Sequence, residues 1–409
     1  MKIGVYGGTF SPIHAGHIKA AKSFLTEMAL DKLYVIPTCL PPHKDEIEGA
    51  DAEDRLEMCR LAFEGEEKIS VSDIEIARKG KSYTVDTLRA LRDEGELYLL
   101  CGSDMFLTLE SWREADEIFK LAGIVLGRRE SDTAMGEELK KHKAHLVNDC
   151  GARVFEIEFD AIELSSSEIR ERIRLLRPIK DELSPSVRDY IYENGLYRDG
   201  DMPLLSNVRE RVRTMMGKRR FLHTLGVERE INFLAGIYCP EKREKLRFAA
   251  LLHDITKEYD TARQLELCGT YGIEVDERLR ISPKLFHAQT GAYFAKTLFG
   301  DAVDKEVFGA VRYHTLGRAG MNLSEMLLYL ADYIDDTRRF DDCVELRKYF
   351  YDGLSKAKDQ KDRYVCLLKT LILSFDMTVS SLENEGAPVD TDTLEAREYI
   401  RKELEKYTG

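Results

Sequence analysis

The chain has 409 residues, 43% of them hydrophobic and 33% charged, and a formal net charge of −13. That length predicts two or three domains, because one hydrophobic core rarely grows past ~300 residues. The acidic balance argues against a sequence-independent nucleic-acid binder, and eight cysteines without a C-x-x-C pair argue against a zinc knuckle or a disulfide framework.

The first predicted element is a buried strand, "KIGVY" at 2–6, and the next is a helix, "HIKAAKSFLTEM" at 17–28. Between and overlapping them runs "GGTFSPIHAGH", residues 7–17. Gly7 and Gly8 let backbone approach a ligand closely. His14 and His17, three apart, share a face at the helix start, where unpaired N–H groups and the helix dipole favour an anion. Two imidazoles at that end predict a phosphate site; the bland alternative is a pair of surface histidines. Neither a P-loop nor a G-x-G-x-x-G pattern is present.

Further strands are predicted at "KLYVIP" (32–37), "LYLLCG" (97–102), "GIVLGR" (123–128) and "RVFEIEF" (153–159), alternating with helical stretches. This is the pattern of an α/β, Rossmann-like, doubly wound parallel sheet. Ligands of such sheets lie beyond the carboxyl ends of the strands, which singles out Gly102 for close approach and Asp104 as an acceptor for a ribose or amino group. Trp112, the chain's one tryptophan, could stack on a ring, although core filling is its ordinary role. In "LSSSEIRERI" (164–173), Ser165, Ser166, Ser167 and Arg170 suit a triphosphate, while capping with Glu168 accounts for one or two of the serines. Lys44 after Pro41–Pro42, and Arg128 or Arg129 after the strand at 123–127, are candidate phosphate contacts.

"YRDGDMP", 197–203, reads as a linker, and beyond it helical periodicity takes over with no internal repeat. Four of the nine histidines fall there in separate helical segments: His223, His253, His287 and His314. Asp254 follows His253, and Asp332 lies in "YLADYID". An H…HD…D set of this kind predicts a metal centre with N and O ligands. Asp254 could bridge two ions, with His287 and His314 serving a second ion or a substrate phosphate. Lys257, one turn past His253, could meet a phosphate. No uninterrupted apolar run nears the ~20 residues that span a bilayer and no signal peptide precedes the first strand, so a cytoplasmic protein without a membrane partner is expected.

Residues 1–198 resemble the nucleotidylyltransferases with an H-x-G-H motif, and within them bacterial nicotinate-nucleotide adenylyltransferase. The resemblance rests on "GGTFSPIHAGH", "PPHK", "YTVDTL", "GSDMFLTLESW" and "LSSSEIRERI", in the family's order, with Ser11 where that family usually has Asp. It implies transfer of AMP from ATP, with Mg²⁺, to nicotinate mononucleotide. His14, His17 and Arg170 are the implied catalytic residues; Gly7, Gly8, Thr9, Phe10, Lys44, Thr84, Gly102, Asp104, Trp112, Arg128 and Ser165–Ser167 are the implied binding residues. The phosphopantetheine-specific branch is the nearest alternative. Residues 203–409 resemble the HD-domain phosphohydrolases, most of all the small bacterial ones that split diadenosine tetraphosphate into two ADP. That resemblance implies an iron or similar centre on His223, His253, Asp254, His287, His314 and Asp332, with Asp254 and Lys257 in catalysis. A non-catalytic nucleotide-sensing module is the alternative there, and a homo-oligomer is left open.

Overall fold

A computed structural model describes residues 1–42, 47, 49–129, 136–159, 165–177, 179, 182–197, 203–275 and 285–408. The chain forms two compact units, Met1–Arg174 with Ile179–Arg198, and Leu175–Pro178 with Asp199–Gly409. Most of the linker expected at 197–203 falls outside the described residues.

The first unit is a six-stranded sheet: β1 (Lys2–Gly8), β2 (Lys32–Pro37), β3 (Ile69–Val71), β4 (Glu96–Gly102), β5 (Ala122–Arg129) and β6 (Val154–Phe159). All pairings are parallel and the order is β3-β2-β1-β4-β5-β6. Helices α1 (Ala15–Glu27), α2 (Ala52–Ala62), α3 (Ile74–Arg78), α4 (Thr84–Leu91), α5 (Ser103–Phe106), α6 (Ala115–Leu121), α7 (Gly136–Asn148), α8 (Ser166–Arg174) and α9 (Pro185–Asn194) accompany it. The expected α/β class is therefore present, with one strand, β3, that the sequence pattern did not predict. One face of the sheet buries Ile3, Val5, Leu97, Leu99, Ile124 and Leu126 against Val85, Leu88, Ile118, Phe119, Leu139 and Leu146 from the helices.

The order of strands makes β1 the turning point. β1 pairs with β2 as far as Gly8 opposite Pro37, but with β4 only as far as Val5 opposite Leu99. Beyond Val5 the sheet parts between β1 and β4, and a crevice opens at their carboxyl ends, where doubly wound sheets bind ligands.

A buried cation braces that crevice. Arg55 on α2 is 1% exposed. Its Nη1 donates to the carbonyls of Thr9 (2.8 Å) and Thr38 (2.6 Å), and its Nη2 to that of Cys39 (3.0 Å). One guanidinium thus ties the loop after β1 to the loop after β2, satisfying carbonyls that no strand pairing reaches.

The second unit is all-helical among its described residues, as expected: α10 (Pro203–Arg213), α11 (Lys218–Tyr238), α12 (Arg243–Leu252), α13 (Thr261–Tyr271), α14 (Phe286–Phe299), α15 (Lys305–Tyr313), α16 (Leu323–Ile334), α17 (Asp341–Lys356), α18 (Gln360–Asn384) and α19 (Thr391–Thr408). α11 is buried almost all round from Phe221 to Asn232 and packs against α12 and α16. Its Glu228, fully buried, accepts from Arg209 Nε at 2.7 Å and from Arg247 Nη2 at 2.9 Å, so the buried charge is paired twice over. α18 is long and apolar enough to cross a membrane, yet it packs Leu367, Leu368, Leu371 and Phe375 into the unit's core between α17 and α19.

Replacing Arg55 with Met should cost about 3 kcal/mol, since three partly buried carbonyls lose a charged donor. Denaturant unfolding of the full chain, followed by the fluorescence of Trp112, reads the first unit alone because the chain has a single tryptophan. A loss under about 1 kcal/mol would mean that water replaces the guanidinium at no cost.

Two candidate functional sites

The histidine pair of the first unit sits at the helix end, but its geometry is more specific than a shared face. His14 is the N-cap of α1 and His17 is the third helical residue. Gly16 N–H donates to His14 Nδ1 (3.2 Å) and His14 N–H donates to His17 Nδ1 (3.2 Å), a capping box made of two imidazoles. The ring centroids lie 3.7 Å apart with their planes tilted by 36°. A nitrogen that accepts from backbone carries a lone pair, so in each neutral ring the proton resides on Nε2. Both rings are thereby set as Nε2–H donors at the positive end of a helix, which suits phosphate oxygens.

The glycines have separate tasks. They end β1 rather than forming the turn, and the chain bends at Phe10, whose φ is 48°. A Cβ on Gly7 would meet nothing within 4 Å, so Gly7 opens space toward the crevice. A Cβ on Gly8 would lie 2.9 Å from the Phe10 ring. Phe10 itself is buried, edge-on to Tyr6 and His17, and supports the imidazole instead of facing outward.

The crevice is a cavity of about 590 Å³, within the usual range for small-molecule sites. Of the residues expected to bind nucleotide, Gly7, Gly8, Thr9, Thr84 and Trp112 line it. Gly102 and Asp104 are exposed and stand outside its lining. Arg128 lies 3.8 Å from Glu156 and 3.9 Å from Glu158, so its charge is answered by carboxylates. Lys44 and the side chain of Arg129 lie outside the described residues. Sequence reasoning missed Glu75, Tyr83, Thr87 and Arg113, which also line the cavity. Glu75 is buried, burial pushes its carboxyl above the usual range, and it accepts from the Thr87 hydroxyl at 2.7 Å. Arg113 lies over the Tyr83 ring, 4.6 Å from its centroid.

The three serines are all engaged locally. Ser165 and Glu168 form a capping box, with Ser165 N donating to Glu168 Oε2 at 2.8 Å and Glu168 N to Ser165 Oγ at 3.2 Å. Ser166 Oγ donates to the Pro12 carbonyl at 3.0 Å. Arg170 donates to the Ser11 carbonyl (2.6 Å) and to Ser167 Oγ (3.0 Å). α8 therefore clasps the loop at Ser11–Pro12, next to the histidine pair, and Ser11 Oγ reaches the Tyr197 hydroxyl at 3.2 Å.

In the second unit all six expected ligands converge. His223 lies in the first turns of α11, His287 starts α14 and Asp332 is in α16. His253 and His314 are not inside helices: each is the residue just past a helix end, of α12 and α15. The first faces backbone with its Nδ1 at 2.7 Å from Ala250 O, the second at 2.7 Å from Val311 O. A carbonyl only accepts, so Nδ1 holds a proton and Nε2 is the nitrogen turned to the cluster, where it can serve as a ligand once it carries no proton of its own. Asp332 Oδ1 is 2.9 Å from His223 Nε2 and 3.6 Å from His253 Nε2. Asp254 splits its oxygens: Oδ2 is 3.4 Å from His253 Nε2 and 3.7 Å from His223 Nε2, while Oδ1 is 3.2 Å from His287 Nε2 and 3.6 Å from His314 Nε2. The residues fit a metal: Oδ1 is buried with no hydrogen-bond donor aligned on it, and His223–His253–Asp332 and His253–Asp254–His314 each gather ligand atoms within 4.8 Å of one another.

Charge in the cluster is unevenly held. Burial opposes ionisation of Asp254, but His253 beside it keeps its carboxyl well below the ordinary range. Burial alone would lower His253; Asp254 and Asp332 outweigh it and push that imidazole up to about 10. Burial, with Lys257 nearby, pushes His287 down to about 4. Lys257 Nζ stands 2.9 Å from His287 Nε2 and 4.0 Å from Asp254 Oδ1. Three residues were not legible beforehand. Arg220 and Arg338 donate to Asp254 and Asp332 at 2.6 Å each, and Asp335 Oδ2 is 3.2 Å from His223 Nδ1. Gly226 makes room for Asp335, since a Cβ there would lie 2.6 Å from its Oδ1.

Residues 5–172 match the cytidylyltransferase-like family and residues 220–337 match the HD domain. The chain is thus a nucleotidyltransferase fold followed by an HD domain, and an HD domain implies a divalent metal. A relative from Shouchella clausii (strain KSM-K16), described as "probable nicotinate-nucleotide adenylyltransferase", is 36% identical over 203 residues, 49% of this chain and 98% of its own length. One from Desulfitobacterium hafniense (strain Y51), described in the same words, is 39% identical over 202 residues, 48% of this chain and 96% of its own. The chain belongs to the nicotinate-nucleotide adenylyltransferase family, extended by the HD domain. Among solved structures, a "predicted HD superfamily hydrolase involved in NAD metabolism" from Clostridium acetobutylicum is 32% identical, with a TM-score of 0.43 over 50% of this chain and 100% of that one. The nicotinic acid mononucleotide adenylyltransferase of Plasmodium falciparum, complexed with NaAD, is 20% identical, with a TM-score of 0.39 over 48% of this chain and 97% of its own.

Asp335→Asn should lower the affinity of the second cluster for divalent metal by about 10- to 100-fold, because His223 loses the carboxylate that orients it. Metal titration of the folded variant against the parent measures this, and equal affinities would show that Thr337, whose Oγ1 is 3.4 Å from the same Nδ1, alone holds the ring.

Proposed function

We propose that the first unit transfers AMP from ATP to nicotinate mononucleotide, giving the deamido dinucleotide and pyrophosphate. The observation that carries this reading is the pair of Nε2–H donors at the start of α1, shortly after Gly7–Thr9 in the chain; those three residues line a cavity together with Tyr83, Trp112 and Arg113, and neither histidine is part of that lining. The mononucleotide phosphate is already an anion, so no protein base is needed. Its oxygen forms a bond to the α-phosphorus of ATP as the bond to the β-phosphate oxygen breaks, and pyrophosphate carries the electron pair away. His14 and His17 donate to the oxygens on which charge accumulates. Gly7 lets the backbone approach the phosphates, and Trp112 offers a flat face to the pyridine ring. Arg170 acts by holding the Ser11 carbonyl and thereby the histidine loop. Mg²⁺ bound with ATP would neutralise phosphate charge.

His17→Ala should reduce turnover by at least about 100-fold, as removal of an oxyanion donor does elsewhere, while leaving any phosphohydrolysis by the second unit unchanged. A coupled pyrophosphate assay on the folded variant measures it. Near-parental turnover would remove the histidines from the reaction. In the same assay the acid mononucleotide should outcompete its amide, and a preference for phosphopantetheine would place the chain in the other branch.

For the HD domain we infer a metal-dependent phosphohydrolase that splits diadenosine tetraphosphate symmetrically. The support is the complete set of six ligands, with Lys257, Arg220 and Arg338 placed around it as cations for phosphate oxygens. His223, His253, Asp254 and Asp332 would hold one ion; Asp254 Oδ1, His287 and His314 would hold a second. Imidazole and carboxylate donors suit iron, and manganese as well. Such ions, when bound, supply Lewis acidity and activate water. Asp254→Asn should abolish both metal loading and hydrolysis, because the amide is a neutral, weaker ligand. Nucleotide analysis of the full chain with diadenosine tetraphosphate should give ADP alone. ATP with AMP would overturn the symmetric cleavage, and no turnover with any divalent metal would favour a sensing module.

A further inference from the structure

Two histidines of the first unit take no part in either site. His142 and His145 lie one turn apart on α7, and Cys150 follows two residues past its end. Glu110 comes to them from the short 3₁₀ turn Leu109–Ser111, thirty-five residues away from His145 in sequence. His145 Nε2 is 2.9 Å from Glu110 Oε1, Cys150 Sγ is 3.9 Å from the same oxygen, and Sγ is 4.0 Å from His145 Nε2. His142 Nδ1 is 3.8 Å from the other oxygen of Glu110, and its Nε2 is buried with no hydrogen-bond partner among the described residues.

We infer that Glu110, His145 and Cys150, with His142 beside them, bind a divalent transition metal of the zinc class, and that the ion clamps α7 to the turn that leads into Trp112. Tetrahedral ligands about 2.0–2.3 Å from an ion lie roughly 3.3–3.7 Å apart, so separations of 2.9, 3.9 and 4.0 Å need only small side-chain shifts. A thiolate joined to imidazole and carboxylate selects zinc or cobalt over magnesium or calcium. Carboxylates flank the imidazole on both sides, since Asp149 Oδ2 lies 2.6 Å from His145 Nδ1, so the surroundings favour a cation. On binding, the ion replaces the thiol proton of Cys150 and the proton that His145 shares with Glu110, and both pass to solvent. No redox change is involved.

The mechanical consequence follows from the backbone. Trp112 N–H donates to the Leu109 carbonyl at 3.0 Å, and Ser111 N–H to that of Thr108 at 3.0 Å, so a pull on Glu110 is felt at Trp112. On the far side, His142 meets the Phe106 ring edge-on at 5.4 Å. This inference stands on the cluster itself and is independent of the catalytic reading above.

Cobalt(II) separates this site from the HD cluster, whose six ligands include no cysteine. Added to the metal-stripped full chain, cobalt should produce a near-ultraviolet thiolate-to-metal absorption band, bleached by zinc. The band should persist in Asp254→Asn and vanish in Cys150→Ala. In His145→Ala the cobalt affinity should fall by at least about tenfold. Zinc should shift the emission of the single tryptophan in the parent and leave it unchanged in Cys150→Ala. Circular dichroism checks folding, and Cys150→Ser gives a second, nearly isosteric variant with the same expected loss. No band in the parent, or a band that survives in both Cys150 variants, would overturn the site. An emission that ignores zinc while the band forms would overturn the clamp.

Discussion

An imidazole has two nitrogens, and what the backbone does to one decides the chemistry of the other. That constraint governs both halves of this chain. In the first unit, N–H groups donate to Nδ1 of His14 and His17, which commits Nε2 to donating. In the second, carbonyls face Nδ1 of His253 and His314, which leaves Nε2 as the nitrogen turned to the cluster. One residue type is thereby presented to two kinds of partner, and the selector is its position at a helix end. At an N-terminus the surplus backbone groups are N–H; at a C-terminus they are carbonyls. The histidines sit where each kind of surplus is found.

The same economy appears in how charge is placed. In the second unit three carboxylates, Asp254, Asp332 and Asp335, meet two guanidinium groups, one ammonium and four imidazoles. Buried charges are tolerated only when matched, and here the match is incomplete in a particular way: an oxygen of Asp254 lacks a donor while His253 is driven to carry a proton. A cation of higher charge entering the cluster relieves both conditions at once. In the first unit the N–H donors stand at the start of α1, and Arg113 on the cavity wall is already answered by Asp86 at 3.7 Å and Glu114 at 3.6 Å.

Much of this was legible in the sequence because it is local. The strand-turn-helix around 7–17, the alternation of apolar runs up to 159 and the helical periodicity beyond 203 are short-range patterns. β3 escaped because three residues are too few to show a period. The six metal ligands could be named from residue type, but not that His253 and His314 lie just beyond helices, a matter of where hydrogen bonding stops. Asp104, Gly102 and Arg128 were named from their place after a strand; the fold leaves the first two exposed and gives the third to glutamates. Arg55, Glu75, Asp335 and Arg338 had no signal at all. Their roles depend on partners brought near by tertiary packing, as with Arg55 and Thr9, forty-six residues apart.

Arg55 also bears on how tightly a flexible triphosphate can be held. A glycine-bearing loop free in solution would surrender its backbone freedom on meeting a ligand, and that loss would be subtracted from affinity. Because the guanidinium already gathers the carbonyls of the loops after β1 and β2, the loop's disorder is lost during folding, and the ligand meets a surface that has little left to lose. The tether lies beneath the loop, away from the cavity lining, so the rigidity it confers occupies none of the space in which the ligand must fit.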